Sequence, residues 1–431
     1  MIIPGYLGSK MYAKFKKPAV LHWFCDQKHT EWHRIWFTAV IMGPILKMCW
    51  TDNIKLLWNP NTNKYSNNCG VLTKIPYRYG STKNFEWLDN IKIGASNYFY
   101  SLVESLVTVG GVRNVSIRGA PYDFRYAPYS VDNGTWVDRM TSLVEDTYNI
   151  NNRTPVTLLS HSMGCLYTLY FLNRKDSHWK DRYIKYWIPT AGPFAGAVLA
   201  MKSILRGDDR GIPFVSSRDA RESQRSWEST MFLVPTHQVW GTTAIVQTPT
   251  KNYSALQYKT LFKDANITYG YERYQLVRNL TASLIHPLVD TIHLYGTGIP
   301  TAESIVNFDG GKFERKETTI INGDGDGTVN TRSMKSILRR WKQREFHHLF
   351  LEIQFPGHGH VEILKSKEYI ERVIHILKYT PNSTNILTNK VNLAHQLISL
   401  SSELTSSYII IIISIMCFVM NDILLFEIIS P

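Results

Sequence analysis

The sequence is poor in cysteine and in charged side chains, and it contains no internal repeat. Five cysteines in 431 residues exclude a small scaffold held together by many disulfides. Charged residues make up only 19% and hydrophobic residues 44%, a balance that excludes an intrinsically disordered chain. No period of roughly 20 to 50 residues recurs, which excludes solenoids and propellers. The chain is therefore globular, and its length suits about two to three domains.

Basic residues outnumber acidic ones and give the chain a net charge of +13. Such an excess favours an anionic partner, either a nucleic acid or an acidic membrane surface. The basic residues are scattered in ones and twos apart from a cluster at 335–344, and no zinc-finger or RNP pattern accompanies them. We therefore expect no nucleic acid partner and favour an acidic membrane surface.

Seven Asn-x-Ser/Thr sequons favour passage through the secretory pathway, where such sites are glycosylated. The sequons lie at Asn114, Asn133, Asn152, Asn252, Asn266, Asn279 and Asn382. The cysteine count leaves room for one or two disulfides in an oxidising compartment. No signal peptide stands at Met1–Gly5, and this combination suggests a truncated start.

The tail at 381–431 carries an apolar segment, 408–420, with five consecutive isoleucines. Thirteen helical residues reach about 20 Å, whereas the hydrocarbon core of a bilayer is about 30 Å thick. The segment is therefore short for a membrane span. A C-terminal membrane anchor, a removable GPI signal preceded by small residues and a buried helix are all compatible with it.

Short aliphatic or β-branched runs alternate with longer patterned stretches along most of the chain. Val156–Leu159 and Thr318–Ile321 are such runs, and each leads into small residues or glycine. The alternation is typical of βα units, so we predict the α/β class, with a mainly parallel sheet covered by helices. Two segments lack it: 22–85, which is rich in tryptophan, and 195–285, which carries sequons. We interpret both as insertions into the α/β core.

A candidate nucleophile, Ser162, follows the apolar run at 156–159. Ser160 and Gly164 are small residues two positions before and after it, as the sharp turn of a nucleophile elbow requires. Larger side chains there would collide with neighbouring backbone, and Ser160 in place of the usual glycine still meets this requirement. A helix that begins beside Met163 would also direct its amides and dipole at a developing oxyanion. A simple helix cap is the alternative interpretation.

A serine nucleophile needs a base and an orienting acid, which in this arrangement follow it as an acid and then a histidine. A glycine-flanked acidic loop contains Asp324 and Asp326, and a later loop contains His358 and His360. Both loops follow apolar strand-like runs, so their side chains can meet over the edge of a sheet. The spacing does not decide between the two acids or between the two histidines. A calcium loop is a poor alternative, because the glutamate that closes an EF-hand loop is missing.

A second glycine-containing junction lies at the start of the chain, in Met1–Gly8. A backbone N–H of this loop is a candidate for the second oxyanion donor that such folds take from an early strand loop. An ordinary turn is the alternative interpretation.

Several segments, distributed over most of the chain, match one family in register. They are Pro4–Gly8, Cys49–Ile54, Arg118–Arg125, His161–Gly164, Tyr167–Leu172, Gln247–Thr250, Leu294–Gly298 and Gly323–Asn330. Through them the chain resembles the lecithin–cholesterol acyltransferase family, most closely its lysosomal phospholipase A2 branch, from Ile2 to about Tyr379.

The resemblance implies an α/β-hydrolase with a membrane-binding subdomain and a cap that carries a mobile lid. The expected division is core 1–21, 86–194 and 286–380, membrane-binding subdomain 22–85, cap 195–285 and lid from roughly Pro213 to Pro235. By the family's pattern, the nucleophile is Ser162, the acid Asp326, the base His360, the oxyanion amides those of Tyr6 and Met163, and the disulfide Cys25–Cys49.

The family's chemistry sets the expected function. Its members cleave an acyl chain from glycerophospholipid without calcium and pass it to water or to a lipid alcohol such as ceramide or a sterol. The resemblance thus implies a serine-dependent phospholipase A and O-acyltransferase that is lysosomal or secreted. Its expected partners are a phospholipid membrane surface, anionic by charge, and a lipid alcohol acceptor, with no cofactor and no metal ion. A neutral-lipid or thioester hydrolase and an inactive lipid-binding protein are the alternatives.

Three features depart from the family's pattern. Tyr6 stands where the lysosomal branch has an acidic residue and the plasma branch a cysteine, so an acidic pH preference is not implied. A second disulfide of the family is missing, because no cysteine lies near Leu294 or Ile337. Cys69 and the apolar tail are additional.

Overall fold

Short aliphatic and β-branched runs form many of the strands, as residue preferences for extended backbone predict. The computed structural model describes residues 1–36, 46–89, 92, 94–209, 216–307, 318–341 and 348–378. The chain divides into two units, Met1–Ile370 and Glu371–Pro431, and the sheets and the site belong to the first. The predicted tail segment at 408–420 lies outside the described residues.

The strands form one parallel sheet and three smaller sheets. In chain order they are β1 (Ile2–Ile3), β2 (Met11–Lys16), β3 (Lys28–Trp36), β4 (Leu56–Asn59), β5 (Lys64–Asn67), β6 (Val71–Lys74), β7 (Val156–His161), β8 (Ile184–Thr190), β9 (Val246–Gln247), β10 (Asn252–Tyr253), β11 (Thr291–Thr297), β12 (Ile299–Asn307), β13 (Thr318–Gly325) and β14 (Phe350–Pro356).

The α-helices in the described ranges are α1 (Leu46–Ile54), α2 (Tyr100–Thr108), α3 (Trp136–Ile150), α4 (Met163–Leu172), α5 (Ser177–Tyr183), α6 (Val198–Leu205), α7 (Ser217–Ser226), α8 (Glu228–Phe232), α9 (His237–Trp240), α10 (Tyr258–Asp264), α11 (Gly270–Val277), α12 (Thr331–Met334), α13 (Leu338–Trp341) and α14 (Lys367–Lys378). Short 3₁₀ turns occupy Thr82–Asn84, Gly94–Ser96, Val131–Gly134, Ala255–Gln257, Lys335–Ile337 and Glu362–Lys365. None of the helices found in these ranges is long and apolar enough to cross a membrane.

The central sheet has five strands in the order β1-β7-β8-β11-β14, and every neighbouring pair is parallel. Ile2 pairs with Leu159, and Leu294 pairs with Thr190 on one side and Ile353 on the other. The predicted α/β class is confirmed. Because the strands are parallel, their carboxyl ends meet at one edge, and the loops that carry the predicted site follow those ends.

Helix α4 follows β7 directly and is buried at every residue from Met163 to Leu172. A helix that is apolar on all sides is buried in a core. The apolar sequence of α4 therefore agrees with its complete burial. Helix α3 instead buries one side, with Trp136 packing edge-on against Tyr167 of α4 at 4.9 Å between ring centroids. The stack of Tyr122 on Tyr167, at 3.9 Å, extends this contact and fixes the helix that begins beside Ser162.

The smaller sheets join segments on both sides of the predicted boundaries. Strand β2, within predicted core 1–21, lies between β3 and β6 in a three-stranded antiparallel sheet. Strands β9 and β10, within predicted cap 195–285, join β12 and β13 in a four-stranded sheet. Strands β4 and β5 form a separate hairpin. The insertions are thus connected to the core by hydrogen-bonded strands as well as by the chain.

The tryptophan-rich segment 22–85 contains both core and surface aromatics. Trp36 and Trp50 are buried, whereas Trp23 is 92% exposed. The disulfide Cys25–Cys49 is present, with Cα atoms 5.5 Å apart, and it ties the loop before β3 to helix α1. Segment 22–85 therefore has its own covalent constraint.

Residues 216–235, within the predicted lid, contact segment 22–85. Ser216 is the N-cap residue of helix α7, and its hydroxyl accepts from the amide of Asp219 in a capping box. The Asp219 carboxylate pairs with Lys47 at 2.6 Å, and the Trp227 indole donates to the carbonyl of Ile54 at 3.0 Å. Residues 210–215, which include the predicted start of the lid at Pro213, lie outside the described residues.

Candidate active site

Ser162 lies at the turn between β7 and α4, at the carboxyl edge of the central sheet. Its backbone has φ +55° and ψ −130°, which residues other than glycine seldom adopt. Such strain costs on the order of 1–3 kcal/mol and persists only where the surrounding structure imposes it. The strained turn between a buried strand and a buried helix is the local geometry of a nucleophile elbow.

The small residues around Ser162 are explained by close contacts. A Cβ on Gly164 would lie 2.5 Å from the carbonyl oxygen of Pro4 and 2.6 Å from that of Ile3, so a larger residue would displace β1. Ser160 is fully buried, and its hydroxyl accepts a hydrogen bond from the Trp187 indole at 2.8 Å. A serine at this position therefore fits the turn and also binds β8.

Three predicted side chains meet at the edge of the sheet. His360 Nε2 lies 2.9 Å from Ser162 Oγ, and His360 Nδ1 lies 2.7 Å from Asp326 Oδ2. With Nδ1–H donating to the carboxylate, Nε2 is left as the acceptor for the serine hydroxyl. The assignment of protons follows from the hydrogen-bond network. The arrangement is a relay suited to removing a proton from Ser162.

The carboxylate of Asp326 is held on its other side by backbone amides. Its Oδ1 accepts from the N–H of Val329 at 2.7 Å and of Thr328 at 3.0 Å. The backbone N–H of His360 also donates to the carbonyl of Asp326 at 2.9 Å. The loops after β13 and β14 are thus joined through backbone and side chain together, which fixes the acid relative to the base.

The structure distinguishes the alternatives that the spacing left open. The exposed carboxylate of Asp324 accepts from the amide of Gly298 at 2.7 Å, and it does not join the relay. His358 is partly exposed, its Nδ1 lies 3.1 Å from the carbonyl of Pro356, and it does not contact Ser162. Among the described residues, no group of three or more histidine, cysteine, aspartate or glutamate side chains is arranged to hold a metal ion.

The early loop after β1 lies against the nucleophile. A Cβ on Gly5 would stand 2.6 Å from Ser162 Cβ and 3.2 Å from its Oγ, so only glycine permits this approach. Tyr6 follows Gly5 in this loop, and Met163 begins the helix on the other side of Ser162. The two predicted oxyanion donors therefore lie on the two backbone segments that flank the nucleophile, and the helix N-terminus adds a positive dipole end.

The side chain of Tyr6 points into a group of residues that sequence reasoning missed. Its hydroxyl lies 3.1 Å from the hydroxyl of Thr230, and its ring packs edge-on against Trp227 at 5.9 Å. Next to them, the buried Glu228 carboxylate accepts from the amide of Ala127 at 2.8 Å and the hydroxyl of Tyr129 at 2.5 Å. Burial raises the pKa of Glu228, although these hydrogen bonds oppose the rise.

Two further buried residues connect the early loop to the base, and sequence reasoning missed their role. Tyr98 and His161 form hydrogen bonds between Gly5 and His360. Burial, followed by the neighbouring His360, lowers the pKa of His161 well below its usual value. The position of His161 beside Ser162 was a signal of its importance, but no pattern pointed to Tyr98.

Comparison with known proteins gives one family and consistent relatives. The model of the lecithin:cholesterol acyltransferase family matches residues 32–367. A human protein named lysosomal phospholipase A and acyltransferase is 36% identical over 378 residues, which cover 87% of this chain and 90% of that protein. A rat phosphatidylcholine-sterol acyltransferase is 32% identical over 378 residues and covers 88% of this chain and 84% of its own length.

Similarity to solved structures is weaker. A chain in the crystal structure of the Tle4–Tli4 complex has 12% sequence identity and a TM-score of 0.45, and the match covers 86% of this chain and 95% of that chain. The sequence relatives are therefore the more informative comparison.

Proposed function

The chain belongs to the lecithin:cholesterol acyltransferase family, and we propose that it is a serine-dependent phospholipase A and O-acyltransferase. In this proposal it moves a fatty acyl group from a glycerophospholipid to water or to a lipid alcohol. Ser162 is the nucleophile, His360 the base, and Asp326 the acid that orients the base.

The observation that carries the proposal is the relay through His360. Its ring bridges the hydroxyl of Ser162 at 2.9 Å and the carboxylate of Asp326 at 2.7 Å, although the three residues are far apart in sequence. The serine of this relay is also the residue with the strained backbone at the end of β7. The relay activates Ser162 Oγ and the strained turn positions it, as an activated nucleophile requires.

In the first half-reaction, His360 Nε2 takes the hydroxyl proton as Ser162 Oγ attacks the carbonyl carbon of the fatty ester. The backbone N–H groups of Tyr6 and Met163 stabilise the resulting oxyanion. The ester bond to glycerol then breaks, and the imidazolium gives its proton to the departing alkoxide. The products are a lysophospholipid and an acyl-enzyme on Ser162.

In the second half-reaction, water or a lipid alcohol such as ceramide or a sterol gives its proton to His360 and attacks the acyl carbon. The new bond forms as the bond to Ser162 Oγ breaks, and His360 returns the proton to Ser162. The ratio of hydrolysis to transfer depends on how well the cap excludes water from the acyl-enzyme. Because amides supply the oxyanion stabilisation, we expect the reaction to be calcium-independent.

An anionic membrane surface is the proposed site of action, and the three-stranded sheet supports it. Burial alternates along β2, and the exposed side carries Lys14 and Lys16. Lys74 lies over the ring of Trp32 at 4.2 Å and Lys14 at 5.1 Å from the centroid. We call Lys14, Lys16, Trp32 and Lys74 the basic face. Exposed lysines attract anionic head groups, and an aromatic ring among them suits the interface.

The proposed location is lysosomal or secreted. The human relative carries a lysosomal name, and the sequons favour the same pathway. The predicted apolar tail segment lies outside the described residues, so the proposal does not depend on it.

The decisive experiment compares the protein with its Ser162→Ala variant on phosphatidylcholine liposomes that contain anionic lipid, with and without ceramide. Mass spectrometry at about pH 4.5 and about pH 7.5 identifies free fatty acid, lysophospholipid and acylated ceramide. We expect all three products from the protein and none above background from Ser162→Ala. Liposome co-sedimentation should be equal for both, because the substitution leaves the basic face intact.

Substrate controls separate the alternatives. Triglyceride emulsions and acyl-thioesters test the neutral-lipid and thioester hydrolases. Faster turnover of either than of phospholipid would contradict the proposal. Lack of labelling of Ser162 by a fluorophosphonate, together with normal liposome binding, would instead indicate an inactive lipid-binding protein.

A further inference from the structure

A chain of buried hydrogen bonds runs behind Ser162, on a different path from the relay. The N–H of Gly5 donates to Tyr98 Oη at 2.9 Å, and Tyr98 Oη lies 2.6 Å from His161 Nδ1. His161 Nε2 lies 2.8 Å from the carbonyl oxygen of His360. The chain therefore connects the early loop to the residue that serves as base.

We propose that Tyr98 and His161 form a positioning bridge, which holds the oxyanion loop and His360 in one fixed geometry around Ser162. The inference rests on the proposed function, because it assigns a role to residues that support the same reaction. Both residues are buried and act through Gly5 and His360.

The direction of each hydrogen bond follows from the two ends of the chain, the N–H of Gly5 and the carbonyl of His360. The carbonyl oxygen of His360 can only accept, so His161 Nε2 must carry a hydrogen and donate it to that oxygen. His161 Nδ1 is then an acceptor, and the hydroxyl of Tyr98 must donate to it. The phenol oxygen in turn accepts from Gly5. A single arrangement of protons satisfies every atom, so the bridge specifies one tautomer of His161 and one orientation of both side chains.

Burial keeps the bridge in this state. Tyr98 and His161 are both buried, and burial raises the pKa of Tyr98 as it lowers that of His161. Both side chains therefore stay neutral. This matters because the rings of His161 and His360 are only 4.8 Å apart, and a charged His161 would oppose the imidazolium that forms on His360.

Packing restricts the two side chains as well. The ring of His161 lies edge-on to Tyr98 at 5.4 Å and to the buried Phe99 at 6.2 Å. A second tyrosine, Tyr122, donates to the carbonyl of Pro4 at 2.8 Å and so also binds the early loop. Tyr98 differs from Tyr122 because its hydrogen bonds continue, through His161, to the base.

The test uses variants that remove the bridge in steps. Tyr98→Phe keeps the ring and removes the hydroxyl, His161→Gln keeps an N–H donor for the carbonyl of His360, and His161→Phe removes both ring nitrogens. Tyr258→Phe is the control, because Tyr258 is equally buried and its hydroxyl donates to the carbonyl of Pro235 at 2.8 Å. The primary measurement is the rate at which a fluorophosphonate labels Ser162, which needs no lipid substrate.

We expect Tyr98→Phe and His161→Phe to slow labelling and to lower kcat on phospholipid by about tenfold each, with KM nearly unchanged. His161→Gln should retain more activity than His161→Phe. The double variant Tyr98→Phe/His161→Phe should be no slower than the slower single variant, because the bridge is already broken.

Labelling at the wild-type rate by Tyr98→Phe and His161→Phe would overturn the bridge and leave the proposed function intact. So would additive losses in the double variant, or an equal loss in Tyr258→Phe, which would indicate general destabilisation. A wild-type protein that neither labels nor cleaves phospholipid would contradict the proposed function itself, and the bridge with it.

Discussion

The carboxyl edge of the central sheet and the basic face are built on opposite principles. At the edge, Ser162, Asp326 and His360 are buried, and each is held by hydrogen bonds from several segments of the chain. On the basic face, Lys14 and Lys74 extend over Trp32 on a three-stranded sheet whose outer side is open to water.

The difference follows from what each region is proposed to do. A proton relay works only when its donor–acceptor distances are held to within tenths of an ångström. It therefore requires buried side chains whose hydrogen bonds are all made. Attraction to a charged surface acts over about a Debye length and tolerates movement of each side chain. Damage to the edge should therefore reduce turnover of any ester, whereas damage to the basic face should reduce only action on membranes.

The largest effect is expected at the edge, from Asp326→Asn. In Asp326→Asn the single amide oxygen accepts from the N–H groups of Thr328 and Val329, so the NH2 group faces His360 Nδ1 and favours the wrong tautomer. The kcat on a soluble short-chain ester should therefore fall by about 10⁴-fold. The matched control is Asp324→Asn, which changes a carboxylate two residues away that binds Gly298 instead. It should stay within about twofold of wild type. A larger loss in Asp324→Asn would reverse the assignment.

A smaller effect, on stability and not on chemistry, is expected from Cys25→Ser. The disulfide closes a separation of 24 residues, and its removal should lower the free energy of unfolding by about 3 kcal/mol. Urea titration measures this loss, and turnover of the soluble ester should be unchanged in the folded protein. Cys69→Ser is the control, because Cys69 is an exposed free thiol. Loss of soluble-ester turnover in Cys25→Ser would show that the edge depends on the disulfide of segment 22–85.

The basic face itself is tested by Lys14→Gln/Lys74→Gln. Each lysine near an anionic surface contributes about 1 kcal/mol, so binding to phosphatidylserine vesicles should weaken by about 30-fold at low salt. High salt should remove most of the difference. Lys259→Gln, on the exposed side of α10, should bind as wild type does. Equal weakening in the Lys259 variant would indicate that net charge alone controls binding.

Much of the edge was predictable from the sequence because its signals are local. The small residues on both sides of Ser162 and the apolar run before it specify a strand, a turn and a helix within about a dozen residues. The choice of Asp326 over Asp324, and of His360 over His358, was not predictable from spacing. It depends on which side chain each loop turns inward, and that is decided by hydrogen bonds such as the one from the His360 amide to Asp326.

The antiparallel sheets were harder to predict, since their strands pair segments that are far apart or carry many lysines. Strand β2 has lysines at alternate positions, and its partner β6 lies more than 50 residues away. The hairpin β4–β5 did have a signal, the Asn-Pro-Asn-Thr-Asn run at 59–63, which favours a turn. Tyr98 had none, because its importance comes entirely from its contact with His161, 63 residues further along the chain.

The smallest expected effect concerns Glu228, which lies beside Trp227, the residue that joins the edge to segment 22–85. Burial raises the pKa of Glu228 in the folded protein above that in the unfolded chain. The contribution of this carboxyl group to stability is therefore complete below the unfolded pKa of about 4.3 and is lost as the pH rises through the folded pKa. Glu228→Gln, which cannot ionise, should lack that loss.

The measurement is the free energy of unfolding of wild type and Glu228→Gln at about pH 5 and about pH 7. The variant should be less stable at both, because Ala127 and Tyr129 donate to different oxygens of the Glu228 carboxyl group and an amide has only one oxygen. The difference in the free energy of unfolding between wild type and Glu228→Gln should narrow towards pH 7, where wild type has lost the contribution of the protonated acid. Glu222→Gln, at an exposed carboxyl group on α7, should show no change in gap. A gap that widens with pH would mean that the hydrogen bonds to Glu228 outweigh its burial.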